Sequence, residues 1–245
     1  MCDTQLGMGG YEQDILAFNQ AVEQINIINP DFVIICGDLV DIANDSSFAD
    51  FIKIKEDLNI PCYCVPGNHD VENIPNSNTL NYYRKTIGQD YYEFQYNGYS
   101  FILTNSQLWK EDVEGESDKH NDWFIKTLTS QSYKTNPVIV VGHYPLYIEN
   151  MNEDENYFNI PIDKRLELLK LFSQNNVLAY LSGHAHELVI NNHNNIQLVT
   201  GETTSLNFDK RPLGFRLWTV SSDTLKHHFI AFEKQIEKWI NPEYN

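Results

Sequence analysis

The chain of 245 residues has no run of about eighteen apolar residues, and so no helical segment of bilayer-spanning length. It is short of positive charge. Only 17 Lys and Arg stand against 34 Asp and Glu, for a formal net charge of −17. A nucleic-acid backbone demands clustered cations and an anionic membrane surface repels a chain of this sign, so neither nucleic acid nor membrane is an expected partner. Cysteine is sparse as well. Cys2, Cys36, Cys62 and Cys64 lack the spacing of a disulfide framework, and Cys36 and Cys62 lie in apolar runs. Reduced core thiols and a cytoplasmic setting are the expectation. Cys62-Tyr63-Cys64 has no second pair to complete a zinc knuckle. No internal repeat and no linker divides the chain, so residues 1–245 are read as one domain. No strand stands in front of Asp3, and the N-terminal strand is therefore expected to be truncated.

What the chain does have is one design used repeatedly. Tyr11 to Asn29 carries Ile15, Phe18, Val22 and Ile25 at helical spacing and stops before Pro30. Phe32 to Cys36 is a continuous apolar run, the pattern of a strand buried on both faces, and it ends at Gly37-Asp38. A helix over Ser46–Leu58, with Ser46 or Ser47 as its cap, leads to the run Cys62–Val65, which ends at Pro66-Gly67-Asn68-His69-Asp70. A helix near Thr79–Ile87 follows, then the run Tyr91–Asn105, broken by the hairpin signal Asn97-Gly98. Acidic loops at Glu111–Asp118 and Glu149–Glu155 precede helices around Trp123–Leu128 and over Ile162–Gln174. Val138–Val141 and Val177–Leu181 are strands that end at Gly142-His143 and Gly183-His184-Ala185-His186. Short strands and turns are expected after Leu188, and a terminal segment near Phe232–Ile240. Buried strands alternating with helices define an α/β class.

Five strand ends thus carry metal-ligand chemistry: Asp3 and Gln5, Asp38, Asn68 and His69, His143, and His184 and His186. Each has an ordinary reading alone. Asp38 suits a turn, and His143 suits a hydrogen-bonded structural imidazole. His184-x-His186 aims two rings to one side, yet in isolation it is a weak signal. Their recurrence at the same end of successive buried strands has no such ordinary reading and points to a metal centre. The donors are carboxylates, amide oxygens and imidazoles without thiolate, a set for Mg, Mn, Fe or Zn. They are too many for one ion and suit two ions sharing a carboxylate. Two divalent ions about 3.5–4 Å apart activate a water and clamp the oxygens of an in-line phosphoryl displacement. Their positive charge exceeds that of Asp3 and Asp38, and the surplus suits a phosphate group.

Asp3-Thr4-Gln5, Gly37-Asp38-Leu39-Val40-Asp41, Gly67-Asn68-His69-Asp70, Gly142-His143 and Gly183-His184-Ala185-His186 stand in the order of five family motifs. Over almost its whole length the chain resembles the calcineurin-like metallophosphoesterases. The resemblance implies a four-layer sandwich, two mixed β-sheets flanked by helices. It implies that Asp38 bridges two ions, with Asp3 and His186 on one and Asn68, His143 and His184 on the other. His69 would protonate the leaving group or stabilise the transition state, oriented by Asp70. Activated water would attack phosphorus with no covalent phosphoenzyme. The family's first motif is usually Asp-x-His, and here Gln5 takes the histidine's place. A neutral amide oxygen is the weaker ligand, which favours exchangeable Mn or Mg over a trapped iron, with Zn also admissible. Asp-x-Gln is shared by the calcineurin-like phosphoesterase domain-containing subgroup, described as Ser/Thr protein phosphatases. The chain is similar to that subgroup at Asn68–Pro75, Asn105-Ser106-Gln107, Tyr157-Phe158-Asn159 and Gly214-Phe215-Arg216 as well.

The activity implied is phosphomonoester hydrolysis on a phosphoprotein or small phosphoester. The alternatives are a phosphodiesterase acting on nucleotides or lipid head groups, and a weakly active scaffold that keeps the fold. Asn159 and Arg165 are candidates for phosphate contacts at the site mouth, with a solvated first-turn position as the other reading of Arg165. Tyr144 and Trp109 either line the mouth or pack inside. Acidic loops flanking the mouth would turn away polyanions.

Overall fold

Successive side chains of a strand point to opposite faces, and this alternation sorts the apolar runs of the chain into layers. The computed structural model describes residues 1–130, 136–221 and 224–233. Its largest sheet has six strands in the order β3-β4-β5-β6-β8-β7. These are β3 Tyr92–Tyr96, β4 Tyr99–Leu103, β5 Val138–Val141, β6 Val177–Ser182, β7 Val189–His193 and β8 Ile196–Thr200. β4, β5, β6 and β8 run parallel, and β3 and β7 close the two edges antiparallel. Ile102, Val138, Val140, Tyr180 and Leu198 face one side, where they pack with Phe124, Leu128, Leu168 and Phe172. Those partners come from α6 (Ser117–Leu128) and α7 (Ile162–Gln174). The intervening residues Phe101, Leu103, Ile139, Val141 and Leu181 face the other side, against Cys36, Val65 and Val220.

The second layer of strands is built on β1 (Val33–Cys36) and β2 (Cys62–Val65), a parallel pair. Residues 1–3 run beside β1, with Met1 N donating to Ile34 O and Cys36 N to Met1 O. Cys2 bridges to Thr203, whose carbonyl accepts from Gly214, the first residue of β9 (Gly214–Ser221). β9 pairs antiparallel with β10 (Thr224–Ala231). Behind β1 and β2, Val33, Ile35 and Cys64 pack on α1 (Tyr11–Ile28) and α2 (Asp45–Lys55) through Phe18, Val22, Phe48 and Phe51. Helix, sheet, sheet, helix is the layering. It bears out the expected mixed α/β architecture.

Local differences from the expected boundaries have local causes. α1 stops at Ile28 because Asn29 takes the left-handed conformation (φ 51°) ahead of Pro30. α2 starts one residue early because Asn44, not a serine, is its cap, accepting from Ser47 N. α4 (Ser77–Thr86) is likewise capped by Asn76. Two single-turn helices, α3 (Asn68–Val71) and α5 (Gln107–Lys110), complete the count among the described residues. No described helix is long and apolar enough to cross a membrane. The terminal segment expected near Phe232–Ile240 lies outside the described residues beyond Glu233.

Candidate active site

The carboxyl ends of the strands in both sheets meet at one place, and the chain turns sharply there. Asp3, Gln5, Asp38, His184 and His186 all hold positive φ, between 31° and 70°. Such backbone is strained for a residue with a Cβ, at a cost on the order of 1–3 kcal/mol each, and it persists where the surrounding structure holds it. Two glycines make the close approach feasible. A Cβ at Gly67 would collide with the Asp38 carboxylate, and one at Gly183 with that of Asp3.

The oxygen donors come from the β1–β2 layer, and the two carboxylates among them are held by backbone amides. Asp38 Oδ1 accepts from His69 N (2.9 Å), and the Asp3 carboxylate accepts from His184 N (3.0 Å). Asn68 donates through Nδ2 to Asn73 Oδ1 and Tyr157 OH, which leaves its Oδ1 turned to His143 Nε2 at 3.1 Å. Gln5 donates through Nε2 to Asp41 Oδ1 at 3.3 Å, while its Oε1 is buried with no hydrogen-bond partner. An orphaned buried oxygen is what a cation satisfies.

The imidazoles come from the six-stranded sheet, and each is tied through one nitrogen to a carbonyl. His143 Nδ1 meets Cys36 O at 2.8 Å, His184 Nε2 meets Tyr157 O at 3.1 Å, and His186 Nδ1 meets Leu206 O at 2.6 Å. A carbonyl only accepts, so a proton sits on each tied nitrogen. In His184 and His186 the other nitrogen then carries a free lone pair, the arrangement typical of metal-ligating histidine. His143 directs its Nε2 at Asp38 and Asn68, where a bound ion would take the place of its second proton. Asp38, His143 and His184 bring ligand atoms within 4.8 Å of one another, and so do Asp3, Asp38 and His186. Asp38 is the member common to both triads. Burial holds His184 well below its ordinary value and His186 down to about 4, so both stay neutral and ready to ligate. Burial also opposes a charge on His143, but the adjacent Asp38 raises it to about 9. Asp38, which burial alone would raise, is held well below the usual carboxylate range by His143, His69 and His184. The residues fit a pair of divalent ions sharing one carboxylate.

His69 stands apart from both triads. Its side chain is 31% exposed, and its Nδ1 lies 2.8 Å from Asp41 O and 3.3 Å from Asp41 Oδ1. Asp41, not Asp70, orients the ring. The expectation for Asp70 is corrected by the one-turn helix α3, which carries its carboxylate back under the loop to accept from Leu39 N, Val40 N and Gly67 N. Asp70 thus braces the loop that bears Asp38. The pairing of His69 with Asp41 was legible only as an acidic residue three positions after Asp38.

The expected phosphate contacts of Asn159 and Arg165 are also overturned. Arg165 is fully buried, and its guanidinium donates to the carbonyls of Ile160, Met151 and Glu153 at 2.9–3.2 Å. Asn159 donates to Glu153 Oε1 and Asp154 O. Glu153 in turn accepts from the amides of Ile148, Glu149 and Asn150. These groups fold the acidic loop and reach no substrate. Trp109 is packed against Phe124, and Tyr144 is buried with its ring 4.1 Å from that of His184. The aromatic residues that do reach solvent here are Tyr157 and Phe158 over His184, and Phe208, stacked on His186 at 4.7 Å.

Residues 3–188, three-quarters of the chain and all five strand-end motifs, match the family model described as calcineurin-like phosphoesterase. The chain belongs to the calcineurin-like phosphoesterase family. It is a metal-dependent phosphoric ester hydrolase. Among curated relatives, serine/threonine-protein phosphatase CPPED1 of Homo sapiens is 29% identical over 257 residues, covering 99% of this chain and 81% of the relative. CPPED1 of Bos taurus is 29% identical over 254 residues, covering 99% and 80%. A dimetal phosphatase of Danio rerio superposes with a TM-score of 0.69 at 16% identity, covering 93% of this chain and 89% of the other, which shows the common fold.

Proposed function

We propose that this phosphoesterase is a phosphomonoesterase of the Ser/Thr protein phosphatase type, working with two exchangeable divalent ions, Mn or Mg in preference to Fe or Zn. The carrying observation is that Asp38 belongs to both donor triads while His69, beside it, keeps Nε2 free. The curated relatives named serine/threonine-protein phosphatase support the substrate class. Asp3, Gln5, Asp38 and His186 would hold one ion, and Asp38, Asn68, His143 and His184 the other. Bound there, the ions supply an acidified water and neutralise phosphoryl oxygens.

The chain's own groups do the rest. His69 is anchored by Asp41 at Nδ1, so a proton on Nε2 points out of the loop, where a departing alcohol oxygen would take it. Burial works against a charge on His69, but the Asp41 hydrogen bond and the Asp38 charge raise it to about 10, so it stays a proton donor at neutral pH. Asp70 and the amides it collects keep Asp38 and His69 at a fixed separation. Parallel hydrolysis of p-nitrophenyl phosphate and bis(p-nitrophenyl) phosphate, with Mn added, tests the reading. Preference for the monoester supports it, and preference for the diester overturns it.

A further inference from the structure

His69 faces two ways. Through its amide it touches Asp38, and its ring opens onto a cleft of about 540 Å³ that runs away from the donor triads toward the start of α4. In an in-line displacement the leaving oxygen departs on the side opposite the attacking water, next to the acid that protonates it. The group bonded to that oxygen must then lie where His69 meets the cleft.

The walls of this cleft have an uneven chemistry. Ile42, Tyr82, Asn78 and Thr79 supply an aliphatic side chain, an aromatic ring, an amide and a hydroxyl, while Asp41 and Glu72 supply carboxylates. Tyr82 OH is bonded to a further carboxylate, Asp45 Oδ1, at 2.7 Å. No Lys or Arg among the described residues lines it. Glu72 follows α3 directly, is exposed, and has no cation within ion-pair distance among the described residues. Among the described residues its carboxylate accepts a long hydrogen bond from Asn76 Nδ2, at 3.5 Å. Beyond the His69–Asp41 pair, a charged leaving group would therefore meet the carboxylates of Glu72 and Asp45 with no Lys or Arg among the described residues to offset them.

We propose that this cleft is the leaving-group subsite and that Glu72 makes it select phosphomonoesters whose leaving group is neutral or cationic. The inference rests on the phosphomonoesterase reading and deepens it. A phosphoserine followed by a basic residue fits. An alcohol bearing further phosphates or carboxylates does not. In the reaction the P–O bond breaks with its electron pair going to the leaving oxygen, which takes the His69 proton. Water forms the new P–O bond and releases a proton to solvent, solvent reprotonates His69, and the products are an alcohol and phosphate. Ile42 and Tyr82 give the uncharged part of the leaving group an apolar wall, and the Asn78 amide gives it a donor and an acceptor.

The test uses the Mn-loaded enzyme and three phosphoserine peptides that differ only in a Lys, Ala or Glu next to the phosphoserine, with p-nitrophenyl phosphate alongside. Opposite unit charges in a water-exposed cleft differ in interaction by a factor of about five each way, so kcat/KM should fall from Lys to Ala to Glu by roughly tenfold or more across the series. Glu72→Gln should flatten the series and Glu72→Lys should reverse it. Turnover of p-nitrophenyl phosphate with equal rates, or none, on the three peptides overturns the subsite and leaves the phosphomonoesterase reading standing. A wild-type order that survives Glu72→Lys overturns the role of Glu72. Failure on every monoester, p-nitrophenyl phosphate included, overturns both readings.

Discussion

The two sheets contribute opposite halves of the candidate metal centre. The β1–β2 layer brings oxygen: Asp3, Gln5, Asp38 and Asn68. The six-stranded sheet brings nitrogen: His143, His184 and the neighbouring His186. Each half is held by the other's backbone. Asp3 accepts from the amide of His184, and His143 donates its Nδ1 proton to the carbonyl of Cys36. The comparison teaches that the site is a property of the seam between the sheets. Neither half positions all of its own candidate ligands. An oxygen half alone would set the carboxylates of Asp3 and Asp38 against each other, and a nitrogen half alone would leave His143 buried without the Asp38 charge beside it.

The most drastic way to break this arrangement is at the residue the halves share. Asp38→Asn keeps the shape but removes the only charge common to both triads. Activity on p-nitrophenyl phosphate should fall to background, with metal content by elemental analysis dropping below half of wild type. His69→Asn should spare the seam. It should leave metal content unchanged while lowering kcat by about 10²–10⁴ on a substrate with a poor leaving group, the range for loss of a general acid. Asp41→Asn sharpens the same point through pH. Folding raises His69 from 6.5 to about 10, so the stability gained is fully present below pH 6.5 and is lost as pH rises to about 10. Removing the Asp41 charge should shift the alkaline limb of the kcat profile toward neutral pH.

A smaller effect separates the seam from the loop beside it. Arg165→Met strands the carbonyls of Met151, Glu153 and Ile160, and should cost about 2–4 kcal/mol in urea denaturation. KM for p-nitrophenyl phosphate should change less than threefold; a large rise in KM with unchanged stability would return Arg165 to a substrate role. The mildest change is Gln5→His. Exchanging a neutral amide for an imidazole on the oxygen side should tighten the weaker ion by roughly a factor of ten, about 1.4 kcal/mol, read by calorimetric Mn titration.

These differences also mark how far the chain could be read without its structure. The strands were legible because runs such as Val138–Val141 are apolar on both faces, and the layers on either side demand just that. Asp38, Asn68, His143 and His184 stood out as candidate ligands because each comes within three residues of the end of such a run. Asp70 and Arg165 were misread for a common reason. Position along the chain does not tell which way a side chain turns, and here a one-turn helix swung Asp70 toward the amides of Leu39 and Val40. Arg165 turned into its own preceding loop, because the carbonyls of 151–160 are folded around it. Asp41 went unassigned because nothing in Leu39-Val40-Asp41 announces that residue 69 lies across from it. The cap by Asn44, ahead of two serines, was a matter of which side chain reaches Ser47 N first.

The central claim is that one carboxylate joins the two halves. Anomalous diffraction from crystals soaked in Mn addresses it most directly. The account predicts two peaks about 3.5–4 Å apart with Asp38 touching both, Asp3 and His186 on one, and Asn68, His143 and His184 on the other. A single peak, or two peaks that do not share Asp38, would contradict it.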